Sequence, residues 1–243
     1  MIRAAQLLLL SGRIDWRSLR GDSFLLLLIS APFIYALLIR LALPHADVPL
    51  REAFGISAAE LGPLLGAGLV MLAPSCTGVV VGFLLLDERD LNVMAAIRVT
   101  PCPPSVYLMR RLFWPSFVGT SVGLMAHAVS GLAAPPFFAL LAISLVASLA
   151  APAMALMLGA LAENKVQGLA LLKVFNVIAL LPVFAYFLEG SWRYVAVVLP
   201  TAWPILGYWH ALEGKTWALD AVGGVVFMGL AIVGLYRLFE RKA

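Results

Sequence analysis

The sequence predicts an all-α, polytopic membrane protein with six transmembrane helices. Three observations carry that expectation. Of 243 residues, 63% are hydrophobic and 12% are charged, where a soluble domain of this length has roughly 25% charged residues. The charges are confined to short patches. Between the patches lie apolar runs of about 20 residues, the length a helix needs to cross the ~30 Å hydrocarbon core. The short alternating segments of a membrane β-barrel are absent. Residues 1–243 therefore read as a single transmembrane domain, with no room for a separate soluble domain of about 50 residues or more.

The net charge of +4 is no nucleic-acid signal here, because Lys and Arg in a membrane protein first report topology. No secretory signal peptide is expected. Leu7–Leu10 is too short for an h-region, and Arg13, Asp15, Arg17 and Arg20 follow at once. Cys76 falls inside a predicted span and Cys102 in a loop, so neither a disulfide nor a zinc framework is expected.

In chain order, residues 1–22 are half apolar and basic. Leu7, Leu10, Ile14 and Trp16 suit the acyl chains and the arginines suit head groups, as in an interfacial helix. Ser23–Leu43 is the first span and contains Pro32, which a membrane helix tolerates. Pro44–Ala59 is a short polar loop with Arg51 and Glu52. Glu60–Leu86 is the second span, with Gly62, Gly66, Gly78 and Gly82 at a spacing that lets helices approach closely.

Asp87–Arg111 is the longest polar interruption. The third span runs over Val106–Leu132 and carries Gly119 and Gly123. After a turn at Pro135-Pro136, the fourth span covers Phe137–Leu161. The fifth covers Gly168–Leu188. Residues 189–217 are too broken by Pro200 and Pro204 to span. They carry Trp192, Trp203, Trp209 and Trp217, four of the six Trp in the chain, and Trp favours the membrane–water interface. They read as broken, re-entrant helices dipping into the outer leaflet and packed against protein. Ala218–Phe239 is the sixth span.

Six spans put thirteen of the seventeen Lys and Arg on one side. By the positive-inside rule both termini and the Asp87–Arg111 loop are cytoplasmic, and the Trp-rich segment is outside. The expected location is the cell membrane, among its lipids.

Little chemistry is available inside the spans. His127 is the one titratable group well inside a span, and hydrogen-bonded packing explains a lone His more simply than a relay. The buried acids of ion-coupled carriers are missing. So are H-E-x-x-H and G-x-S-x-G. Gly214-Lys215-Thr216 resembles the end of a phosphate loop, but the first glycine of that motif is replaced by Trp209. The chain is not expected to be an enzyme. If it transports, the energy comes from another polypeptide.

The central loop, residues 87–105, is where such a polypeptide could bind. Asp87, Glu88, Arg89 and Asp90 form a mixed-charge cluster. Leu91–Val99 can form about two helical turns, with Leu91, Met94 and Arg98 toward one side. The acidic cluster before it would favour the helix dipole. Thr100-Pro101 and Pro103-Pro104 stop the helix. A loop that merely joins two spans needs neither Met94 nor Ile97 in the cytosol.

The acidic-basic cluster Asp87–Asp90, Leu91, then Val99-Thr100-Pro101 and Tyr107-Leu108, resembles the loop between spans two and three of ABC-2 type transporter permeases. Glu163–Gly168 is similar to that family's turn before the fifth span. The departure is Leu91-Asn92, where a glycine is common, which bears on where the loop helix starts. Small size and short outer loops resemble the drug-export branch, including fluoroquinolone exporters.

The resemblance implies a permease subunit that pairs with a second permease, identical or related, and docks a separate ABC ATP-binding subunit. The ATP–Mg belongs to that subunit, and this chain binds no cofactor. The implied coupling residues are Asp87, Glu88, Arg89, Asp90, Leu91, Met94, Arg98, Thr100 and Pro101. Spans two and five would line the path, through Met71, Ser75, Phe83, Phe175, Asn176 and Phe184, for a hydrophobic or amphipathic substrate. A membrane-embedded lipid-modifying enzyme is one alternative. It needs partnered Asp, His or Glu at one face, and Asp87, Glu88 and Asp90 lack a nearby His. An accessory membrane assembly protein is the other, and co-purification of an ATPase separates it from a permease.

Overall fold

The computed structural model describes residues 22–91, 93, 104–188 and 197–240. The expected interfacial helix, Met94, Arg98, Thr100, Pro101, Cys102 and residues 189–196 lie outside the described residues. Among the described residues every regular element is helical. Six helical segments are long and apolar enough to cross a membrane.

Helix α1 (Ser23–Phe54) starts at Asp22, whose carboxylate accepts from the Phe24 N–H at 2.9 Å. It ends at Gly55, in the left-handed region at φ 68°, where a Cβ would be strained. The sequence places the end of this span at Leu43, but the helix continues through Pro44 and Pro49. At about 1.5 Å per residue it is ~48 Å long, well beyond the hydrocarbon thickness. Carbonyls freed by proline can reach water outside the core, so the prolines cost less there than mid-span. Local bonds support the extension. Arg51 pairs with Asp47 one turn earlier at 3.0 Å. The other Asp47 oxygen accepts the Ala58 N–H at 2.9 Å and turns the chain back.

A single 3-10 turn, Ala58–Leu61, leads into α2 (Gly62–Asp90). Ser57 and Glu60 cap each other there, with Ser57 Oγ donating to Glu60 Oε1 at 2.9 Å. Helix α2 is the axis of the bundle. Its most apolar stretch is 89% buried, against 17–39% for the first, third, fifth and sixth spans. Around it stand α1, α3 (Pro104–Ser130), the pair α4 (Phe137–Ala147) and α5 (Ala150–Leu161), α6 (Lys165–Phe184), α7 (Ala202–Leu212) and, against α5, α8 (Ala218–Glu240). In a bilayer such a bundle is held by close packing rather than by apolar burial, and small residues make that packing possible. At Gly78 a Cβ would run into the backbone of Ala151 on α5. At Gly66 it would run into the Tyr208 ring on α7. Gly78 and Gly82 are therefore a seam with α5 and Gly66 a close approach to α7, while Gly62 has open space around it.

The fourth span is not one helix, as the apolar run suggests, but two with a break at Ser148-Leu149. Pro152 has no N–H for the Ser148 carbonyl, and its ring crowds that carbonyl. The chain tightens instead into i→i−3 bonds, Ala151 N–H to Ser148 O at 3.0 Å and Leu149 N–H to Val146 O at 3.1 Å. Helix α6 starts three residues earlier than expected, because Asn164 caps Gln167 N–H at 2.9 Å and Gln167 reaches back to Glu163 N–H at 2.7 Å. The segment after α6 contains α7, with Tyr208 and Trp209 wholly inside the protein.

Candidate functional site

The bundle has two polar ends of different character. At one end lie the start of α1, the end of α2, the start of α3, the end of α5 and the start of α6. Here the central loop leaves and returns, and charged side chains tie the helices together. Asp87 Oδ1 meets Lys165 Nζ of α6 at 2.9 Å, and the same ammonium lies 3.9 Å from Asp22 Oδ2 at the start of α1. Arg111 of α3 donates from Nη2 to Glu88 Oε1 at 2.7 Å, and Tyr107 donates its hydroxyl proton to the same oxygen at 2.9 Å. Arg89 Nη1 donates to the Ala162 carbonyl, past the end of α5, at 3.4 Å. Asp90 and Leu91 are exposed.

One expectation is corrected here. Asp87–Asp90 do not open the loop helix; they form the last turn of α2, and the Leu91 N–H still donates to the Asp87 carbonyl at 3.0 Å. The helix dipole is negative at this end, so three carboxylates there are unfavourable by themselves. Lys165, Arg111 and Arg89, drawn from α6, α3 and α2, supply the opposing charge. Of the nine loop residues the sequence points to, the structure thus ties Asp87 and Glu88 to neighbouring helices half-buried, and leaves Arg89, which reaches the Ala162 carbonyl, Asp90 and Leu91 exposed. Tyr107 and Lys165 fall in the family-like motifs but are not among the expected coupling residues. The i,i+4 spacing of Tyr107 and Arg111 on one helix face was the available signal.

The six path residues do not form one surface within this chain. Met71 is buried in the cluster at the opposite end, with Ile143, Val183 and Tyr208. Phe83 is buried near the loop, edge-on to Phe24 at 5.6 Å, and Phe175 packs on the same cluster. Ser75 donates back to the Met71 carbonyl at 2.8 Å. Asn176 is half-buried. Phe184 is exposed.

At the opposite end the ties are mostly neutral. His127 Nε2 of α3 and Tyr208 Oη of α7 are 2.7 Å apart, and Tyr208 also donates to the Ala133 carbonyl at 3.3 Å. Trp209 Nε1 donates to the Pro63 carbonyl at 3.0 Å. Tyr186 donates to the Glu60 carbonyl at 2.7 Å. His127 therefore has the hydrogen-bonded packing role expected of it. A histidine–carboxylate contact joins α7 to α8, where His210 Nδ1 meets Asp220 Oδ2 at 2.6 Å. Among the described residues no group of three or more His, Cys, Asp or Glu is arranged to hold a metal ion.

The profile of a family described as "Fluoroquinolones export permease protein Rv2686c-like" matches residues 15–236. The chain belongs to this family. It is similar to the fluoroquinolones export permease protein MT2760 of Mycobacterium tuberculosis (strain CDC 1551 / Oshkosh). It is equally similar to the fluoroquinolones export permease protein Rv2686c of strain ATCC 25618 / H37Rv. Each is 35% identical over 235 residues, covering 95% of this chain and 93% of the relative. No solved structure matches. The small drug-export branch to which the small size and short outer loops pointed is thus the one found. With six apolar helices, this permease is a multi-pass membrane protein. The collar of charges and the ties around α7 sit at the two ends of this permease's bundle.

Proposed function

We propose that this permease is the membrane-spanning subunit of an ATP-driven exporter. The observation that carries the reading is its membership, over nearly the whole chain, of a family of export permeases. A separate ATP-binding subunit, holding ATP–Mg, docks on the 87–105 segment, which faces the cytoplasm together with both termini. A second permease, a copy or a relative, completes the path. The substrate is hydrophobic or amphipathic, and fluoroquinolones are the first class to try, because the relatives' names carry them.

Two features support docking at the loop end. Among the described residues the one buried acid, Asp220, is held by His210 at the end opposite the loop, and the energy in this reading comes from outside the chain. The loop leaves from Leu91, which is 76% exposed, beside a collar that joins the ends of α1, α2, α3, α5 and α6. Nucleotide-driven closure of the ATPase pair then moves helix ends together, in the rigid-body manner of domain switching.

Co-purification with an ATP-binding protein from the native host tests the reading. The wild-type chain should retain that protein, and Leu91→Asp or Met94→Asp should release it. Expression of the pair in an efflux-deficient host should lower fluoroquinolone accumulation. If the wild-type chain retains no ATPase, the reading is wrong.

A further inference from the structure

The Glu88 carboxylate is held from the far side of the loop by two donors. Tyr107 and Arg111 stand one helical turn apart on α3, and both reach Glu88 Oε1, at 2.9 and 2.7 Å. Glu88 and Tyr107 lie nineteen positions apart in the chain. The two legs of the loop are therefore fastened to each other where they enter the bundle. The fastening is shielded from solvent, the Arg111 side chain being 9% exposed and Glu88 17%. Shielded opposite charges are costly to separate, because each would be left without its counter-charge in a poorly polarisable setting. The bonds from α2 to its other neighbours differ. The Lys165 ammonium and Asp87 are 43% and 36% exposed, so water can replace that contact, and Arg89 reaches only a carbonyl at 3.4 Å.

From this contrast we infer that Glu88, Tyr107 and Arg111 are positioning residues that make the two legs of the central loop move as one piece. Force applied to the loop is delivered to α2 and α3 together, while the exposed Asp87–Lys165 contact is the one that can yield. The inference rests on the proposed docking of an ATPase at this loop. It adds which contacts must survive the power stroke and which can break. Without the clamp, a push on the loop spreads its legs instead of moving the axial helix, and nucleotide turnover is uncoupled from transport.

Two measurements on the full-length chain in lipid nanodiscs test it. Spin labels at Asp90→Cys and Met109→Cys, with Cys76 and Cys102 replaced by Ala, report the separation of the legs. The parent should give one narrow distance distribution. Glu88→Ala and the milder Glu88→Gln should broaden it, and the swap Glu88→Arg with Arg111→Glu should narrow it again. An unchanged distribution in Glu88→Ala overturns the clamp.

The second measurement uses the ATPase that co-purifies with the wild-type chain and a fluoroquinolone followed by its own fluorescence. Glu88→Gln should retain the ATPase in normal amount while substrate moved per ATP hydrolysed falls about tenfold or more. Lys165→Gln should leave that ratio near the parent value. A merely structural role would lower yield and leave the ratio intact, which sinks the inference but not the docking. Failure of the wild-type chain to retain any ATPase sinks both, and the spin-label result tells whether the clamp itself exists.

Discussion

Tyr208 has its ring against Gly66, and its hydroxyl lies between His127 and the Ala133 carbonyl. One side chain thus joins α7 to α2, α3 and the turn before α4. Interhelical hydrogen bonds in membranes contribute modestly, so Tyr208→Phe should cost about 1 kcal/mol. A drop of a few degrees in the thermal unfolding midpoint in detergent would record it. His127→Ala should cost more, about 2–3 kcal/mol, because it removes the same bond and also leaves a void among packed rings. Equal midpoints for wild type and Tyr208→Phe would mean that the hydroxyl contributes nothing. The sequence singles out His127 as a titratable group inside a span, but not Tyr208 as its partner. Their partnership spans 81 residues, and no local pattern announces a contact of that range.

For the helices, legibility depended on the kind of signal. The six spans follow from apolar length, because lipid admits only segments that satisfy their own backbone bonds. Helix ends were harder. Helix α1 outlasts its apolar run because Asp47 bonds both Arg51 and the Ala58 N–H, and the fourth span breaks where Pro152 strips Ser148 of a donor. The glycine spacing in the second span was visible, but its partner was not. Gly78 faces the Ala151 backbone, whereas Gly229 on α8 has open space around it. Gly78→Ala should therefore destabilise by about 1–3 kcal/mol. Gly229→Ala should be neutral or stabilising by up to about 1 kcal/mol. Unfolding midpoints of the two purified variants decide it, and similar losses at both sites would contradict a specific seam at Gly78.

At the scale of the molecule, both ends carry ion pairs, but the shielded Glu88–Arg111 pair is at the loop end, while around α7 aromatic side chains donate to carbonyls. The positive-inside reading puts the loop end in the cytoplasm. Accessibility of single cysteines checks the orientation. In a chain freed of Cys76 and Cys102, Phe54→Cys should react with an impermeant maleimide in intact cells. Asp90→Cys should react only after permeabilisation. The reverse pattern would invert the topology and remove the basis for docking at the loop. Salt should also act unevenly. Moderate salt weakens the exposed Asp87–Lys165 contact more than the shielded Glu88–Arg111 one.

Composition and apolar periodicity by themselves determined the solvent, the six spans and the loop where charge collects, and the motifs of that loop and of Glu163–Gly168 carried the likeness to a permease family. These depend on what each segment must do in lipid, and that requirement is local to the segment. Only the tertiary structure decided how the charge is used. In the sequence Asp87–Asp90 is one acidic-basic cluster ahead of a predicted helix. In the fold it is the last turn of the axial helix, with Asp87 turned to α6, Glu88 to α3 and Arg89 to the end of α5. Successive residues on a helix point about 100° apart. Adjacent charges therefore meet different neighbours, and which neighbours stand there is set by the packing of the whole bundle.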